Sequence, residues 1–278
     1  MRRNPNLVAG IALLALLVVV GLGGHLVIDP MDAEPLSAPA KRPPSWAYPL
    51  GTDTQGRDLL AVMVVGIGLT LKIGALAGTL GLTIGASLGF FAGYCGGWID
   101  AVISFVVDVL LTVPVLLFLV VITANLPSGL NTTEMALIIA LFTWRQPARQ
   151  IRSQVLIMRE MGYVLTARLA GRGTLGIVFA ELLPNLLPYL ASSFVLVTSI
   201  AILSSIGLEA LGLGPQNEST LGMMIYWLMF ESALMLGLWW WLLTPVTILI
   251  VLFVGLYLVS VGLDEIANPR LRGRAAER

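Results

Sequence analysis

Lysine and histidine are almost missing from this chain, and charge of either sign is scarce. The lysines are Lys41 and Lys72, and the histidine is His25. A phosphate-cradling G-x-x-x-x-G-K-[ST] loop needs a lysine after a glycine. Neither lysine has one, so the chain is not itself a P-loop ATPase. One histidine excludes zinc chemistry of the H-E-x-x-H type. One cysteine, Cys95, excludes an intrachain disulfide and leaves the redox compartment unread. A formal net charge of zero gives no reason to expect nucleic acid. What the chain has instead is apolar surface: 57% of 278 residues, with only 12% charged. Soluble domains carry roughly 45–50% and about 25%. One core cannot hide that excess in so short a chain, and a bilayer can.

Five strong apolar segments fall at about 7–28, 67–93, 99–124, 187–212 and 239–262. Each approaches or exceeds the roughly 20 residues a helix needs to cross. The first follows Arg2 and Arg3 like a signal peptide, and Ala38-Pro39-Ala40 loosely resembles a cleavage site. Its run from Leu7 to Ile28 exceeds a signal core of roughly 7–15 residues, so it reads as a retained anchor. A weaker sixth segment covers 134–151. A seventh, 221–238, carries Glu231 in its middle, where charge is costly.

Arginine placement predicts the topology. With 134–151 crossing and 221–238 not, six helices leave both termini on one side. That side holds Arg2, Arg3, Arg145, Arg149, Arg152, Arg159, Arg168, Arg172, Arg270, Arg272, Arg274 and Arg278, twelve of the sixteen basic residues. The positive-inside rule makes it the cytoplasm. Residues 221–238 then read as an external helix, interfacial or re-entrant. Residues 29–60, rich in proline, form a long external connector bearing Asp29, Asp32, Glu34, Asp53 and Asp58. The predicted division is 1–66 (anchor helix and external loop), 67–264 (membrane domain) and 265–278 (cytoplasmic tail).

Gly81, Gly85, Gly89 and Gly93 recur every fourth residue, and Gly74 and Gly78 add another small pair. This spacing lets a neighbouring helix approach closely. Gly85-Ala86-Ser87-Leu88-Gly89 matches the G-x-S-x-G of a serine hydrolase, but that elbow needs a strand-turn-helix setting. Trp239, Trp240 and Trp241 read as an interfacial belt.

Residues 152–185 mix apolar residues with Arg159, Arg168 and Arg172. A short helix ending near Gly171 is predicted, with Gly171 in the left-handed cap position and Thr174 capping the next helix. Such a helix either lies on the membrane or docks into a soluble partner. The spacing of Ala167, Gly171 and Leu183-Pro184 resembles the cytoplasmic EAA loop of binding-protein-dependent ABC importer permeases. Leu165, Thr166 and Glu181 depart from that pattern. Tyr163-Val164-Leu165-Thr166-Ala167-Arg168 and Leu183-Pro184-Asn185 look like its dipeptide/oligopeptide branch. So do Leu50-Gly51-Thr52-Asp53-Thr54-Gln55-Gly56-Arg57-Asp58, Gly96-Gly97-Trp98-Ile99-Asp100 with Asp108 and Pro114, Leu211-Gly212-Leu213-Gly214, and Asn268-Pro269-Arg270-Leu271. Phe105 and Ser205 stand where an arginine and a glutamate are usual.

The resemblance implies an all-α membrane protein of the type I ABC importer permease fold, six transmembrane helices with both termini cytoplasmic, in the cell membrane. It implies a permease without enzymatic activity of its own. Its partners would be a homologous second permease, two ATP-binding-cassette ATPases that hold ATP and Mg, and an extracytoplasmic solute-binding protein. No cofactor or metal is expected on this chain. Dipeptides or oligopeptides would be the substrate, with oligosaccharide or nickel chelate as alternatives. A standalone channel or secondary transporter is the competing class. Glu160, Tyr163, Ala167, Arg168, Gly171, Arg172, Leu183 and Pro184 would form the ATPase-coupling loop. Arg168 and Arg172 either pair with ATPase acids or only hold the loop inside. Asp108, Pro114 and Glu209 are pathway or helix-packing candidates. Gly51, Thr52, Asp53, Gly56, Arg57 and Asp58 would build a network in the external loop.

Overall fold

The computed structural model describes residues 4–126 and 130–267. Arg2, Arg3, the arginines of the tail and the Asn268-Pro269-Arg270-Leu271 stretch lie outside the described residues. Within them the chain is helical, with one isolated antiparallel bridge between Thr52 and Asp58.

Helix α1 (Pro5–Val18) starts at Asn4, whose side chain accepts from the Asn6 and Leu7 amides. Asn4 also donates to the Gly262 carbonyl (3.1 Å) and to Glu265 (2.8 Å). Those residues belong to the last helix, α11 (Trp239–Ala267), so the first and last helices are stapled at one end. Along the pair, Gly10 lies against the Val259 backbone and Gly262 against Leu7.

Helix α2 (Leu59–Cys95) is the axis of the molecule. It begins inside the stretch expected to be connector, well before 67, because Asp58 caps it through the Leu60 amide at 3.0 Å. Its first turns are also buried at Leu59, Ala61, Val62 and Val64. The glycine period works as packing. Gly74 and Gly78 meet Ile202 and Thr198 of α9 (Leu183–Ala210). Gly81, Gly85, Gly89 and Gly93 meet the α5 (Thr132–Thr143) and α6 (Arg145–Met158) rods. One slowly drifting face of the helix thus receives two partners in succession along its length, at backbone distance.

The third span is not one rod. Helices α3 (Gly97–Thr112) and α4 (Val115–Ala124) meet at 80°. Pro114 has no amide to give the Leu110 carbonyl, and it drives Val113 to extended backbone (φ −79°, ψ 126°). By length and apolarity four described helices can cross a membrane, and this bent pair would make a fifth. The weak sixth segment is α5 continued by α6, with a break at Trp144.

After α6 come α7 (Gly162–Leu169) and α8 (Thr174–Ile177). A wide π turn over Val178–Leu182 leads into α9. Pro184 cannot donate to the carbonyl four residues back, so the helix widens just before it. Helix α10 (Leu221–Phe230), ten residues long, is too short to cross and packs its Leu221, Met223, Met224 and Leu228 inward.

The tryptophan belt is corrected. Trp239 is exposed, but Trp240 donates to the Thr52 carbonyl (3.3 Å) and Trp241 is fully buried. Trp241 sits in the apolar cluster that joins α1, α2, α9, α10 and α11, alongside Leu17, Leu59, Val62 and Leu252. A second cluster joins α2, α4, α5 and α9 around Leu119 and Ile139. A third, around Phe90, Val155, Val164 and Leu182, carries α7.

Candidate functional site

The segment 159–184 is closed by its own hydrogen bonds. Arg172 N–H donates to the Ala167 carbonyl and Gly171 N–H to the Arg168 carbonyl, both at 3.1 Å. This pair is the Schellman ending of α7, and it requires Gly171 at φ +76°. A Cβ at Gly171 would meet nothing within 4 Å. Gly173, not Thr174, precedes α8 as its cap, with no side-chain bond; Thr174 is already helical.

Val164 is buried and Ala167 half-buried in the third cluster, which seats α7 on Phe90, Ile151 and Val155. Leu165 and Leu169 point away, Leu169 being 90% exposed. Tyr163 is partly exposed. Partial burial, and after it the Glu181 carboxylate, push its hydroxyl above the usual tyrosine value. The arginines have partners within the chain: Arg168 lies 5.7 Å over the Tyr94 ring, and Arg172 forms an ion pair with Glu181. Glu160 pairs with Arg159 (3.0 Å), which also donates to the Gly93 carbonyl at the end of α2 (3.0 Å). Leu183 and Pro184 open α9.

The external-loop residues converge at the other end of α2. Asp53 is fully buried and accepts from Arg57 Nε (2.6 Å) and from the Arg57 and Gln55 amides (2.9 Å each). Thr52 donates to the Pro39 carbonyl (2.7 Å) and accepts from the Arg42 amide (2.8 Å). Gly51 (φ +78°) and Gly56 (φ +70°) run so close to Arg42, Trp240 and Ala38 that a side chain would collide. Direct access of a ligand to Asp53 is closed by its own partners.

Of the two readings open for Glu209, its surroundings fit packing. Fully buried, it accepts from Ser205 (2.5 Å) and Thr220 (2.7 Å), and its carboxylate lies against Gly222 at the start of α10. It is the clamp of the α9–α10 elbow, and Ser205, where a glutamate was the usual residue, is one of its donors. Glu209→Ala strands two buried hydroxyl donors, each costing roughly 1–3 kcal/mol when unmet. We expect the thermal midpoint of the purified protein to drop by several degrees, while Ser205→Ala alone moves it little. Equal midpoints for Glu209→Ala and the parent would reject the clamp.

Asp108 is two-thirds exposed and stands 3.7 Å from Arg149 of α6. Pro114 makes the bend. Two arrangements escaped the sequence reading: the bidentate pair of Arg152 with Asp100, and the bonds of Arg145 to the α3 carbonyls. Asp100 stood in the Gly96–Asp100 motif, yet nothing local indicates which arginine reaches it. Among the described residues no cluster of His, Cys, Asp and Glu could hold a metal.

A bundle of long apolar helices wound on one glycine-striped helix is the build of a multi-pass membrane protein. Residues 85–273 match the family described as binding-protein-dependent transport system inner membrane component, and the chain belongs to that family. It is therefore a permease of the cell membrane. It is 30% identical over 275 residues to the oligopeptide transport system permease protein OppC of Mycobacterium tuberculosis, covering 97% of this chain and 92% of the relative. It is 31% identical over 280 residues to the di/tripeptide transport system permease protein DppC of Pseudomonas aeruginosa, covering 98% and 90%. The fold is like that of a chain in inward-facing MetNI methionine ABC transporter structures. The TM-score is 0.57 at 20% identity, over 75% of this chain and 95% of that one. That likeness establishes the type I importer permease fold.

Proposed function

We propose that this chain forms half of a peptide pathway, dipeptide or oligopeptide, and is driven through residues 160–184 by ATPase subunits on the cytoplasmic side. A homologous permease would complete the pathway, two ATPases would attach beneath, and an external binding protein would deliver substrate. The chain would cross six times with both termini inside. α4 would complete the third crossing, and α5 with α6 the fourth. The observation that carries this reading is α7. It is anchored by Val164 and closed at Gly171, yet it presents Leu165 and Leu169 to the outside at the end of two long rods. Exposed leucines on a rigid eight-residue helix suit a cleft on a soluble partner. The peptide assignment follows the names of the OppC and DppC relatives.

Mild-detergent purification of the chain from its own membrane tests the reading. A nucleotide-hydrolysing subunit should co-purify, and reconstituted vesicles should take up a labelled dipeptide only when binding protein and ATP are supplied. Uptake at full rate without any ATPase would place the chain in the channel or secondary-transporter class.

A further inference from the structure

Helix α3 ends with carbonyls that its own backbone cannot satisfy. Pro114 has no N–H for Leu110, and the extended Val113 turns its carbonyl out of the helix. In apolar surroundings such groups need a donor. One guanidinium supplies it. Arg145 Nη1 bonds the Leu110 carbonyl and reaches the Val113 carbonyl (3.4 Å), while Arg145 Nε donates to the Phe142 carbonyl (2.8 Å). Phe142 is in α5, and Arg145 is the first residue of α6. The same side chain therefore fills the break in the third span and the break at Trp144 in the fourth.

We propose that Arg145 is the positioning residue that pins these two breaks together, so that a displacement of α7 reaches the α3–α4 bend along α6. The transmission half rests on the reading of α7 as the ATPase contact; the pin itself does not.

The path is short and made of stiff parts. Helix α6 runs fourteen residues from Arg145 to Met158, about 20 Å, and only three residues separate it from α7. Its flank is held to α3 by the two-nitrogen Arg152–Asp100 pair, and its back is seated on Gly85 and Gly89. Beyond the bend, α4 folds over α5 and α9: Leu119 is fully buried in the second cluster and the Phe118 ring lies tilted against Phe142, 5.7 Å between centroids. A movement of α6 along its axis carries Arg145 with it. The carbonyls of Leu110 and Val113 must then follow or lose their only donors among the described residues. This gives α4 two arrangements, folded while the fork holds and free to straighten when it opens. Arginine suits the task because its planar fork presents several N–H groups at fixed angles, which an ammonium on a flexible stem does not.

The test reads the bend directly in the complete importer, reconstituted in nanodiscs. With Cys95 replaced by serine, Val102→Cys on α3 and Val121→Cys on α4, both exposed, carry spin labels. A straight helix would separate the two backbones by about 28 Å at 1.5 Å per residue, and the 80° bend brings them nearer about 20 Å. The parent should give a short, narrow distance distribution. Arg145→Gln and Arg145→Lys should shift it several ångströms outward and lower dipeptide uptake at least tenfold, with the ATPase still co-purifying. Arg145→Gln combined with Pro114→Ala, which returns an amide to Leu110, should give the long distance alone. An unchanged short distance in both Arg145 variants overturns the pin. A lengthened distance with parental uptake overturns the transmission. Loss of ATPase attachment in Arg145→Gln would make Arg145 part of the docking surface and overturn the proposal. Failure of the docking reading shows elsewhere, as a parent that never holds an ATPase, and leaves the distances to decide the pin.

Discussion

Gly171→Trp should abolish peptide uptake while the protein still inserts, folds and purifies with its helices intact. The surroundings of the position decide the outcome. A Cβ at Gly171 meets no atom of this chain within 4 Å, so the permease has room for the indole. The backbone there is left-handed, φ +76°, which costs an ordinary residue about 1–2 kcal/mol. That strain loosens one turn and cannot by itself unfold a bundle built on three buried clusters. Gly171→Asn separates the two effects, because asparagine tolerates the left-handed region with little bulk. If a partner occupies the space beyond the turn, Trp blocks it and Asn is admitted. We expect uptake to fall at least a hundredfold for Trp and only a few-fold for Asn, with ATPase co-purification lost in the Trp variant alone. Parental uptake in the Trp variant would remove residues 160–184 from any coupling role.

Much of the architecture was legible because its causes are periodic. Gly81, Gly85, Gly89 and Gly93 recur at four-residue spacing, and that spacing alone shows that something approaches α2 closely. The turn at Gly171 was readable for a related reason: glycine after a short apolar helix has a backbone preference that other residues lack. What escaped has non-local causes. Three consecutive tryptophans suggested a belt, but successive residues on a helix point about 100° apart, so Trp239, Trp240 and Trp241 cannot share one environment. One faces out, one bonds the external loop and one is core. Pro114 was noticed, yet the apolar run around it hid the bend, since composition does not change across an extended residue. Glu209 reads from sequence as either a pathway or a packing group, because an acid in a span faces inward in both cases. Ser205, one turn earlier, is a local partner, but Thr220 lies eleven residues on, past a turn, and decides for packing. Arg145 counted only toward topology, and the carbonyls it meets are over thirty residues earlier.

Gly85→Leu should prevent the bundle from assembling, because here the obstacle is backbone. A Cβ on Gly85 would sit 2.5 Å from the Trp144 carbonyl oxygen and 3.0 Å from the Ala148 amide nitrogen. Neither can rotate away, so α6 must retreat from α2 by more than an ångström. Retreat opens the seats of Gly89 and Gly93 as well, since the same α6 rod carries all three contacts. Overpacking a tight contact commonly costs about 1–3 kcal/mol, and a leucine driven against two backbone groups belongs at or above the top of that range. The loss should appear as little folded protein in the membrane and a thermal midpoint lowered by ten degrees or more. Gly162→Leu is the matched control: its Cβ meets nothing within 4 Å and it opens a helix rather than lining one, so folding should be near parental. Because α6 leads into α7 and starts at Arg145, partial rescue of Gly85→Leu at low temperature should still leave uptake impaired. A variant that folds but has lost the α2–α6 contact no longer holds the two ends of that rod in register.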